Sequence, residues 1–346
     1  MTVAFPRRLV DAYDLVILDL DGVVYLIDTP IPGAVSAINR LHDEGKQLAY
    51  ATNNASRRSA EVADLLTGMG VPARPEEVLT SAAAAAELLA EKLLPGAPVL
   101  VVGAPALWAE VEAAGLLPVS RATEEPVAVV QGYGPLVGWS ELAEACLAVR
   151  SGALWVATNT DRTLPSPRGP LPGNGALVAA LRAALDRDPD IVVGKPAPGL
   201  FTTAAHRAGS GRPLVVGDRL DTDIEGAVRA GMDSLLVLTG VNGAADLLAA
   251  PPARRPTYVA SDLQGLFEVG AVLDVPGEGE VPGGVDLEDW QVIDDGGDLR
   301  LTGAGGVLDA LRVLCRATWS GRWPAGAVTA GSAEADAVLR ELGLGA

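Results

Sequence analysis

The sequence predicts an α/β protein with a doubly wound, mainly parallel sheet, a second α/β region inserted into it and a small α+β extension after it. Three observations lead to this fold class. Short β-branched runs alternate with Ala/Leu-rich helical patterns as far as residue 262, which is typical of βαβ units in Rossmann-like sheets. Some strands of this series end in polar residues of related chemistry, and two groups of these strands are far apart in the sequence. The long stretch of chain between the two groups leaves room for an inserted region. After Ala260 the alternation stops and the composition changes.

Apolar strands and amphipathic helices follow one another in a regular order. The predicted strands are 15–21, 47–53, 99–103, 127–131, 154–159, 191–195, 214–218 and 234–240. The helical patterns between them include 32–45, 56–70 and 139–152. Strands separated by helices of this length pair in parallel, because a crossover connection returns each strand to the same sheet.

Residues 263–346 are predicted to form the α+β extension. Between Asp274 and Arg300 there are nine acidic residues and one base, and the Gly and Pro residues of 275–286 indicate a solvated linker or irregular loop. A strand-like LRLTG segment, a Gly-rich turn and a helical pattern at 306–319 follow. This order resembles part of an acyltransferase fold without a complete acyl-CoA pyrophosphate loop. Packing against the core, dimerisation and regulation therefore stay open as roles of the extension.

The composition restricts the class of function. The chain has 346 residues, of which 49% are hydrophobic, so about two domains with sizeable cores are expected. Its net charge of −18 repels phosphate backbones and anionic lipid, so no nucleic-acid or membrane partner is expected. The two cysteines, Cys146 and Cys315, form no disulfide or metal-binding pattern, which favours a reducing, cytoplasmic location. Three aspartates interrupt the apolar stretch near the N-terminus, so neither a signal peptide nor a membrane span is predicted there.

Four of the predicted strands end in residue types that phosphoryl transfer requires. In an open parallel sheet, ligands bind outside the carboxyl ends of the strands. The first strand ends in Asp19 and Asp21, whose spacing places both carboxylates on the same side. The other three ends offer a hydroxyl with two amides, a fixed cation and a carboxylate cluster for a hard metal ion: Thr52-Asn53-Asn54, Gly194-Lys195-Pro196 and residues 217–223.

Each of these pieces is common on its own, because Asp-x-Asp more often forms a turn or helix cap and a strand-end lysine is more often solvated. All four in this order, each directly after an apolar strand, are specific. The segments DLDGVV, ATNN, GKP and GDRLDTD resemble the four motifs of haloacid dehalogenase-superfamily phosphohydrolases, and the resemblance covers residues 14–262. The longer phrases DLDGVVY, ATNNASR and GDRLDTDI are similar to the NagD-like branch, which contains 4-nitrophenyl phosphatase, phosphoglycolate phosphatase and glycerol-3-phosphate phosphatase enzymes.

The distances between the motifs predict the domain organisation. Only 32 residues lie between Asp19 and Thr52, whereas 142 lie between Thr52 and Lys195. In this family, such an insertion is the type-two cap, which closes over the core site. The resemblance therefore implies hinges near 80–82 and 189–191, and the following domains: a haloacid dehalogenase core in two parts at 1–80 and 190–262, the cap at 81–189 and the extension at 263–346.

The resemblance also implies a role for each core motif. Asp19 would be the nucleophile that forms an aspartyl-phosphate, and Asp21 the general acid and then the general base. Thr52 and Lys195 would bind and neutralise the transferring phosphoryl group. Mg²⁺ would be held by the Asp19 carboxylate, the Asp21 backbone carbonyl and Asp218.

Two further acids follow Asp218 in the same motif. Asp223 is expected to orient metal-bound water or Lys195, or to complete the metal site, and Asp221 to cap the following helix. Three or four carboxylates near one site are unfavourable without a cation, so their clustering predicts a metal independently of the family.

Substrate contacts are expected from two other places. Asn53 and Asn54 are candidates for the phosphate or the ester oxygen. In the cap, the loop 157–162 repeats the ATN of the core motif, and its Asn159, Asp161 and Arg162 either contact substrate or form a turn with local hydrogen bonds.

Several other features are interpreted as structural. Gly132, Gly134 and Gly138 follow a strand, but their GxGxxxG spacing and Pro135 argue against a dinucleotide site and favour a βα turn. His42 and His206 have no neighbours at metal-ligand spacing, and both cysteines are expected to pack in cores.

The sequence thus predicts a Mg²⁺-dependent phosphatase of small phosphate monoesters. Glycerol 3-phosphate is the first expectation and 2-phosphoglycolate the second, since cap side chains decide between them. A cap that closes over the site favours metabolites over phosphoproteins. A phosphotransferase or a catalytically silent phosphate-binding or regulatory module is disfavoured, because no motif residue is missing. A homo-oligomer formed through the cap or the extension stays open.

Overall fold

The computed structural model describes residues 8–27, 29–164, 166–268, 285–287, 289–295, 298–320 and 328–345. The strands in these residues are β1 (Leu15–Leu18), β2 (Tyr25–Leu26), β3 (Thr29–Pro30), β4 (Gln47–Thr52), β5 (Val78–Thr80), β6 (Pro98–Val102), β7 (Leu117–Val119), β8 (Ala128–Gln131), β9 (Leu154–Ala157), β10 (Thr163–Leu164), β11 (Leu171–Pro172), β12 (Ile191–Val192), β13 (Pro213–Gly217), β14 (Asp233–Val237), β15 (Tyr258–Ala260), β16 (Val285–Leu287), β17 (Trp290–Asp295), β18 (Asp298–Gly303) and β19 (Val328–Ala330).

The helices are α1 (Ala34–Asp43), α2 (Ser59–Gly68), α3 (Ser81–Lys92), α4 (Pro105–Ala113), α5 (Trp139–Arg150), α6 (Asn174–Leu185), α7 (Gly199–Ala208), α8 (Glu225–Ala230), α9 (Ala244–Leu248), α10 (Val307–Trp319) and α11 (Ala333–Glu341). Every strand and helix named in the sequence analysis is present, although the strand predicted at 191–195 is reduced to Ile191–Val192. None of the helices among the described residues combines the length and the hydropathy that crossing a bilayer requires.

The chain forms two compact units. The first consists of Met1–Val24, Ile31–Ala37 and Gly211–Ala346, and the second of Tyr25–Pro30 and Ile38–Ser210. The domain boundaries predicted at 80, 189 and 262 do not coincide with the limits of these units and stay a prediction.

In the first unit, a parallel sheet has the strand order β15-β14-β13-β1. All four residues of β1 are buried, as are Leu214–Gly217 of β13. Such continuous apolar runs fit strands that are covered on both faces. The register pairs Leu18 with Val216, so the residues that follow these two strands leave the sheet side by side.

The extension, also in the first unit, forms a sheet of its own in the order β16-β17-β18-β19. The first three strands are antiparallel, and β18 and β19 are parallel. The strand and helix predicted after the acidic stretch are confirmed as β18 and α10. The linker predicted at 275–286 is wrong at its end, because Val285 and Asp286 belong to β16; residues 275–284 lie outside the described residues.

A second strand, β17, also lies in the acidic stretch that was interpreted as solvated. Trp290 and Val292 are buried in the core of the extension, whereas Gln291 between them is exposed. Because side chains of a strand alternate between the two faces of a sheet, the apolar residues can pack in the core on one face while the acidic residues stay in solvent on the other. The alternation of Trp290 and Val292 with Gln291 is visible in the sequence, but the many acidic residues around it favoured the interpretation as a solvated loop.

The second unit contains a five-stranded parallel sheet in the order β12-β9-β8-β6-β7. Its side chains alternate between two cores: Val99 and Val101 pack with α3 and α4, and Leu100 and Val102 with α5 and α6. Strands β4 and β5 of this unit also pair in parallel. Gly132 and Gly134 lie in the turn between β8 and α5, which confirms the βα turn that was predicted there.

Candidate active site

Three buried carboxylates come together in the first unit. Asp19 follows β1, Asp218 follows the neighbouring strand β13, and Asp223 lies on a π-helical turn at Leu220–Ile224. One carboxylate oxygen from each lies within 4.8 Å of the others. Asp19 is 7% exposed, and Asp218 and Asp223 are completely buried. We call these three residues the carboxylate cluster.

Backbone groups hold Asp218 in position. The Val241 amide donates to Asp218 Oδ2 at 2.7 Å, and the Asn242 amide donates to the Asp218 carbonyl at 3.2 Å. Two glycines allow the chain to pass unusually close to this carboxylate. A Cβ atom at Gly22 would lie 2.4 Å from Asp218 Oδ2, and one at Gly240 would lie 2.0 Å from it. Only glycine therefore fits at these two positions.

Asp223 is fixed by its own turn. The Arg219 amide donates to Asp223 Oδ2 at 3.1 Å, and a Cβ atom at Gly217 would lie 2.2 Å from the Asp223 Cβ. The carboxylate therefore has a defined direction, set by the strand end before it. The orientation of metal-bound water by Asp223 stays a prediction.

The carboxylate cluster has the chemistry of a hard-cation site. Bringing up to three negative charges together away from water is unfavourable unless a positive charge compensates them. Carboxylate oxygens are the ligands that Mg²⁺ and Ca²⁺ prefer. Among the described residues, these three are the group of His, Cys, Asp and Glu side chains that could hold a metal ion, and neither His42 nor His206 belongs to it.

Two other predicted acids lie outside the carboxylate cluster. Asp21 is partly buried, and its side chain is not part of the group. Asp221 makes two 3.1 Å hydrogen bonds with the Arg219 guanidinium. Burial alone would raise the pKa of Asp221, but the bonds and the charge of Arg219 hold that pKa below its ordinary value. Asp221 is therefore an ion-pair partner, and no helix-capping bond from its side chain occurs among the described residues.

In the second unit, Thr52, Asn53 and Lys195 lie close together. Thr52 ends β4 and is 2% exposed, and the Asn54 amide donates to its hydroxyl at 3.1 Å. Lys195 is 3% exposed, and its Nζ donates to the carbonyl of Ala51 at 3.1 Å. The lysine and the threonine of two separate motifs are thus attached to the same strand end.

Asn53 joins these motifs through its side-chain amide. Its Oδ1 accepts from the Lys195 amide at 2.8 Å, and its Nδ2 donates to the Lys195 carbonyl at 3.1 Å. The same Nδ2 donates to Asp161 Oδ2 at 3.0 Å. A Cβ atom at Gly194 would lie 2.5 Å from Asn53 Oδ1, so glycine there permits the pairing. Both polar atoms of the Asn53 side chain are engaged within the protein.

The remaining predicted substrate contacts differ in their surroundings. Asn54 Oδ1 accepts from the amide and the hydroxyl of Ser56 in a local turn. Asn159 is buried, donates to the Asn53 carbonyl at 2.7 Å and accepts from the Asp161 amide, so the local hydrogen bonds of the turn interpretation are present. Arg162 is exposed, and no side-chain hydrogen bond or ion pair joins it to another described residue.

Sequence reasoning missed the segment after β14. Thr239 Oγ1 donates to the carbonyl of Gly22 at 2.6 Å, and Gly240 and Val241 enclose Asp218. The signal was available, because the predicted strand 234–240 ends in Thr-Gly and its carboxyl end lies beside β13. Val241 and Gly240 act through backbone atoms, and the Thr239 hydroxyl binds a backbone carbonyl, so no charged or metal-binding side chain marked this segment.

Two family models match the chain, one described as haloacid dehalogenase-like hydrolase over residues 16–117 and one as HAD-hydrolase-like over residues 192–266. A D-glycerol 3-phosphate phosphatase of Mycobacterium tuberculosis is 48% identical over 327 residues, which are 91% of this chain and 88% of that protein. The chain belongs to the haloacid dehalogenase-like hydrolases. Within this family, an acid sugar phosphatase of Staphylococcus aureus is 37% identical over 253 residues, 72% of this chain and 95% of that protein.

Solved structures of haloacid dehalogenase-like hydrolases have the same fold. The crystal structure of a glycerol phosphate phosphatase from Mycobacterium tuberculosis in complex with magnesium matches with a TM-score of 0.89 and 46% identity, covering 98% of this chain and all of that chain. A 4-nitrophenylphosphatase from Thermotoga maritima matches with a TM-score of 0.70 and 33% identity, covering 75% of this chain and 97% of that chain. The predicted α/β fold class and the family resemblance are confirmed.

Proposed function

We propose that this chain is a Mg²⁺-dependent phosphatase that hydrolyses glycerol 3-phosphate through an aspartyl-phosphate. The observation that carries the proposal is a buried carboxylate cluster in a chain that is 48% identical to a D-glycerol 3-phosphate phosphatase. The solved relative with a TM-score of 0.89 was crystallised in complex with magnesium. The haloacid dehalogenase-like family and the donor set of the cluster point to the same chemistry.

The residues present fit Mg²⁺. Asp19 and Asp218 would hold the ion directly, and Asp223 would hold it or its water, with the Asp21 carbonyl as the further oxygen that the motif implies. When bound, Mg²⁺ neutralises charge on the transferring phosphoryl group and on the carboxylates around it. The glycines at positions 22 and 240 support this fit, since they let the backbone close around Asp218.

The chain's own residues carry the bond-making steps. An Asp19 oxygen attacks phosphorus while the bond from phosphorus to the glycerol oxygen breaks. Asp21 gives its proton to the leaving alkoxide and so releases glycerol. Asp21 then takes a proton from water as that water attacks phosphorus, which releases inorganic phosphate and regenerates the Asp19 carboxylate.

Thr52 and Lys195 are proposed to bind the phosphoryl oxygens, where negative charge is spread in the transition state. Asn53 is proposed as a positioning residue rather than a substrate contact. Its amide is paired with both backbone groups of Lys195, so it fixes the lysine next to Thr52. Asp161 and Arg162 stay candidates for contact with the glycerol moiety, and Asn54 and Asn159 are assigned mainly to the turns that they stabilise.

The alternative ester is 2-phosphoglycolate, which carries an additional carboxylate. Arg162 and Arg168 are exposed cationic groups that could pair with it. The identity to the Mycobacterium tuberculosis relative favours glycerol 3-phosphate. A cytoplasmic location and an oligomer formed through the cap or the extension stay predictions of the sequence.

Phosphate release from a panel of esters tests the proposal. The panel contains glycerol 3-phosphate, 2-phosphoglycolate, a sugar phosphate and 4-nitrophenyl phosphate, each with Mg²⁺ and with EDTA. We expect Mg²⁺-dependent release that is fastest with glycerol 3-phosphate and absent in Asp19→Asn. Asp43→Asn, an exposed aspartate on α1, is the matched control and keeps the wild-type rate. Equal release by Asp19→Asn would refute the mechanism, and a different preferred ester would correct the substrate.

A further inference from the structure

The extension docks onto the part of the first unit that carries the carboxylate cluster. Leu311 and Cys315, on one face of α10, are completely buried. They belong to a hydrophobic group that we call the docking cluster: Leu220, Ile224, Leu236, Ala244, Leu247, Ala250, Val259, Leu311 and Cys315. Other residues of α10, including Val313 and Leu314, pack instead in the core of the extension's own sheet. Helix α10 therefore contributes to two hydrophobic clusters, and Leu248, Leu342 and Leu344 pack against both of them.

Polar contacts fix the end of α10 against α9. Trp319 Nε1 donates to the carbonyl of Leu247 at 3.2 Å. The Arg255 guanidinium lies over the Trp319 ring, 4.9 Å from its centroid, and its Nε donates to the carbonyl of Ala250 at 3.1 Å. The short helix α9 and the residues after it are therefore held by the extension.

The same segments hold two members of the carboxylate cluster. Helix α9 follows directly after Val241 and Asn242, whose amides donate to Asp218. Asn242 Oδ1 also accepts from the Leu220 amide at 2.8 Å. Leu220 and Ile224 of the docking cluster are the two ends of the turn that carries Asp223. The docking cluster thus includes residues of both segments that hold Asp218 and Asp223 in position.

We propose that α10 is a positioning element for the carboxylate cluster and that its docking sets the affinity of the enzyme for Mg²⁺. This inference rests on the proposed function. Five residues of α9 are too few to be stable alone, so its position depends on packing. When the packing against α10 loosens, the segment 239–248 gains alternative positions, and the Asp218 carboxylate spends less time in the geometry that binds the metal.

The test compares two leucines of α10 that belong to different hydrophobic clusters, in the full-length protein. Leu311→Ala removes contacts in the docking cluster, whereas Leu314→Ala removes contacts in the extension's own core. Both side chains are completely buried, so both substitutions lower the midpoint of thermal unfolding to a similar extent. Isothermal calorimetry with MgCl₂ is expected to give a dissociation constant raised about 10-fold or more in Leu311→Ala. In Leu314→Ala it stays within about twofold of the wild type.

Two further measurements separate the possible outcomes. Raising the Mg²⁺ concentration is expected to restore phosphate release by Leu311→Ala, which a general loss of structure would not allow. If the alanine variants do not fold, Trp319→Phe removes the bond to Leu247 and reduces the ring surface under Arg255. Trp139→Phe, 84% exposed on α5, is its control. We expect Mg²⁺ binding about three- to tenfold weaker in Trp319→Phe, the effect of one hydrogen bond.

Equal Mg²⁺ affinity in Leu311→Ala and Leu314→Ala, or in the two tryptophan variants, would overturn the inference and leave the extension as a structural addition. Failure of the proposed function gives a different result. In that case the wild-type protein itself binds no Mg²⁺ in the calorimeter and releases no phosphate from the ester panel.

Discussion

Asp218 is enclosed so closely by two glycines that one methyl group at either position must displace it. A Cβ atom would stand 2.0 Å from Asp218 Oδ2 at Gly240 and 2.4 Å from it at Gly22, whereas Cβ atoms essentially never approach within 3.0 Å of another atom. The carboxylate must therefore move by about 1.0 Å in Gly240→Ala and by about 0.6 Å in Gly22→Ala. The movement also strains the 2.7 Å bond from the Val241 amide.

The expected effect follows from these displacements. A misplacement of about 1 Å at a reacting centre costs about 10²-fold in rate, and a disturbed metal environment costs about 10–100-fold in affinity. We expect Gly240→Ala to hydrolyse glycerol 3-phosphate about 100-fold more slowly than the wild type, and Gly22→Ala about 10-fold more slowly. Gly22 has a φ of 87°, so its substitution adds about 1–2 kcal/mol of backbone strain.

Phosphate release at increasing Mg²⁺ concentrations, together with thermal unfolding, measures both effects. Gly45→Ala is the control for the strain, because Gly45 has a φ of 69° and no atom lies within 4 Å of the position that a Cβ would take there. It is expected to lose stability but to keep its rate. A wild-type rate and Mg²⁺ dependence in Gly240→Ala would refute the reasoning, as would a loss of rate in Gly45→Ala equal to that in Gly22→Ala.

Two further predictions concern the second unit and the extension. Asn53→Ala releases the backbone of Lys195, the lysine proposed to bind phosphate, so turnover is expected to fall about 10–100-fold. Asn39→Ala, which loses one bond to a backbone carbonyl, is expected to stay within about twofold. Equal turnover in both variants would contradict a positioning role. Burial raises the pKa of the Cys315 thiol from its ordinary 9.0, so above pH 9 the unfolded chain ionises there and the folded chain does not. The free energy of unfolding in urea is expected to fall by about 1.4 kcal/mol per pH unit from this group. In Cys315→Ala, the free energy of unfolding is expected to fall only from about pH 10, where two buried tyrosines with raised pKa values start to contribute. Identical dependence of this free energy on pH in both proteins would disprove the contribution of Cys315.

The ends of the strands could be predicted because the chemistry there is carried by side chains. Asp19 and Asp218 follow apolar runs, and parallel pairing of those runs places the two carboxylates side by side. Asp223 joins them because a tight turn returns the chain over Gly217. The motifs predicted that Asp223 belongs to the carboxylate cluster, but they did not predict the turn that brings it there.

The parts that could not be predicted depend on backbone groups and on pairings between distant segments. The amides of Val241 and Asn242 have no side-chain signature, so no pattern of residue types places them at Asp218. Asn53 was expected at the substrate because amides can bind phosphate, whereas the folded chain uses that amide for the backbone of Lys195. The type of a side chain shows which groups it can bind by hydrogen bonds, but only the fold shows which of these groups lies next to it.

The discontinuity of the first unit has a consequence for synthesis on the ribosome. The second unit is continuous from Ile38 to Ser210. In the first unit, β1 pairs with β13, for example Leu15 with Pro213, so this pairing can form only after β13 has been synthesised. Since domains fold as units while the chain emerges, the second unit can complete its five-stranded sheet before the partner strands of β1 exist. The carboxylate cluster also needs Asp218 and Asp223, so it cannot form until the chain has been made as far as Asp223. A chain that ends before Asp218 can therefore carry a folded second unit without the carboxylate cluster.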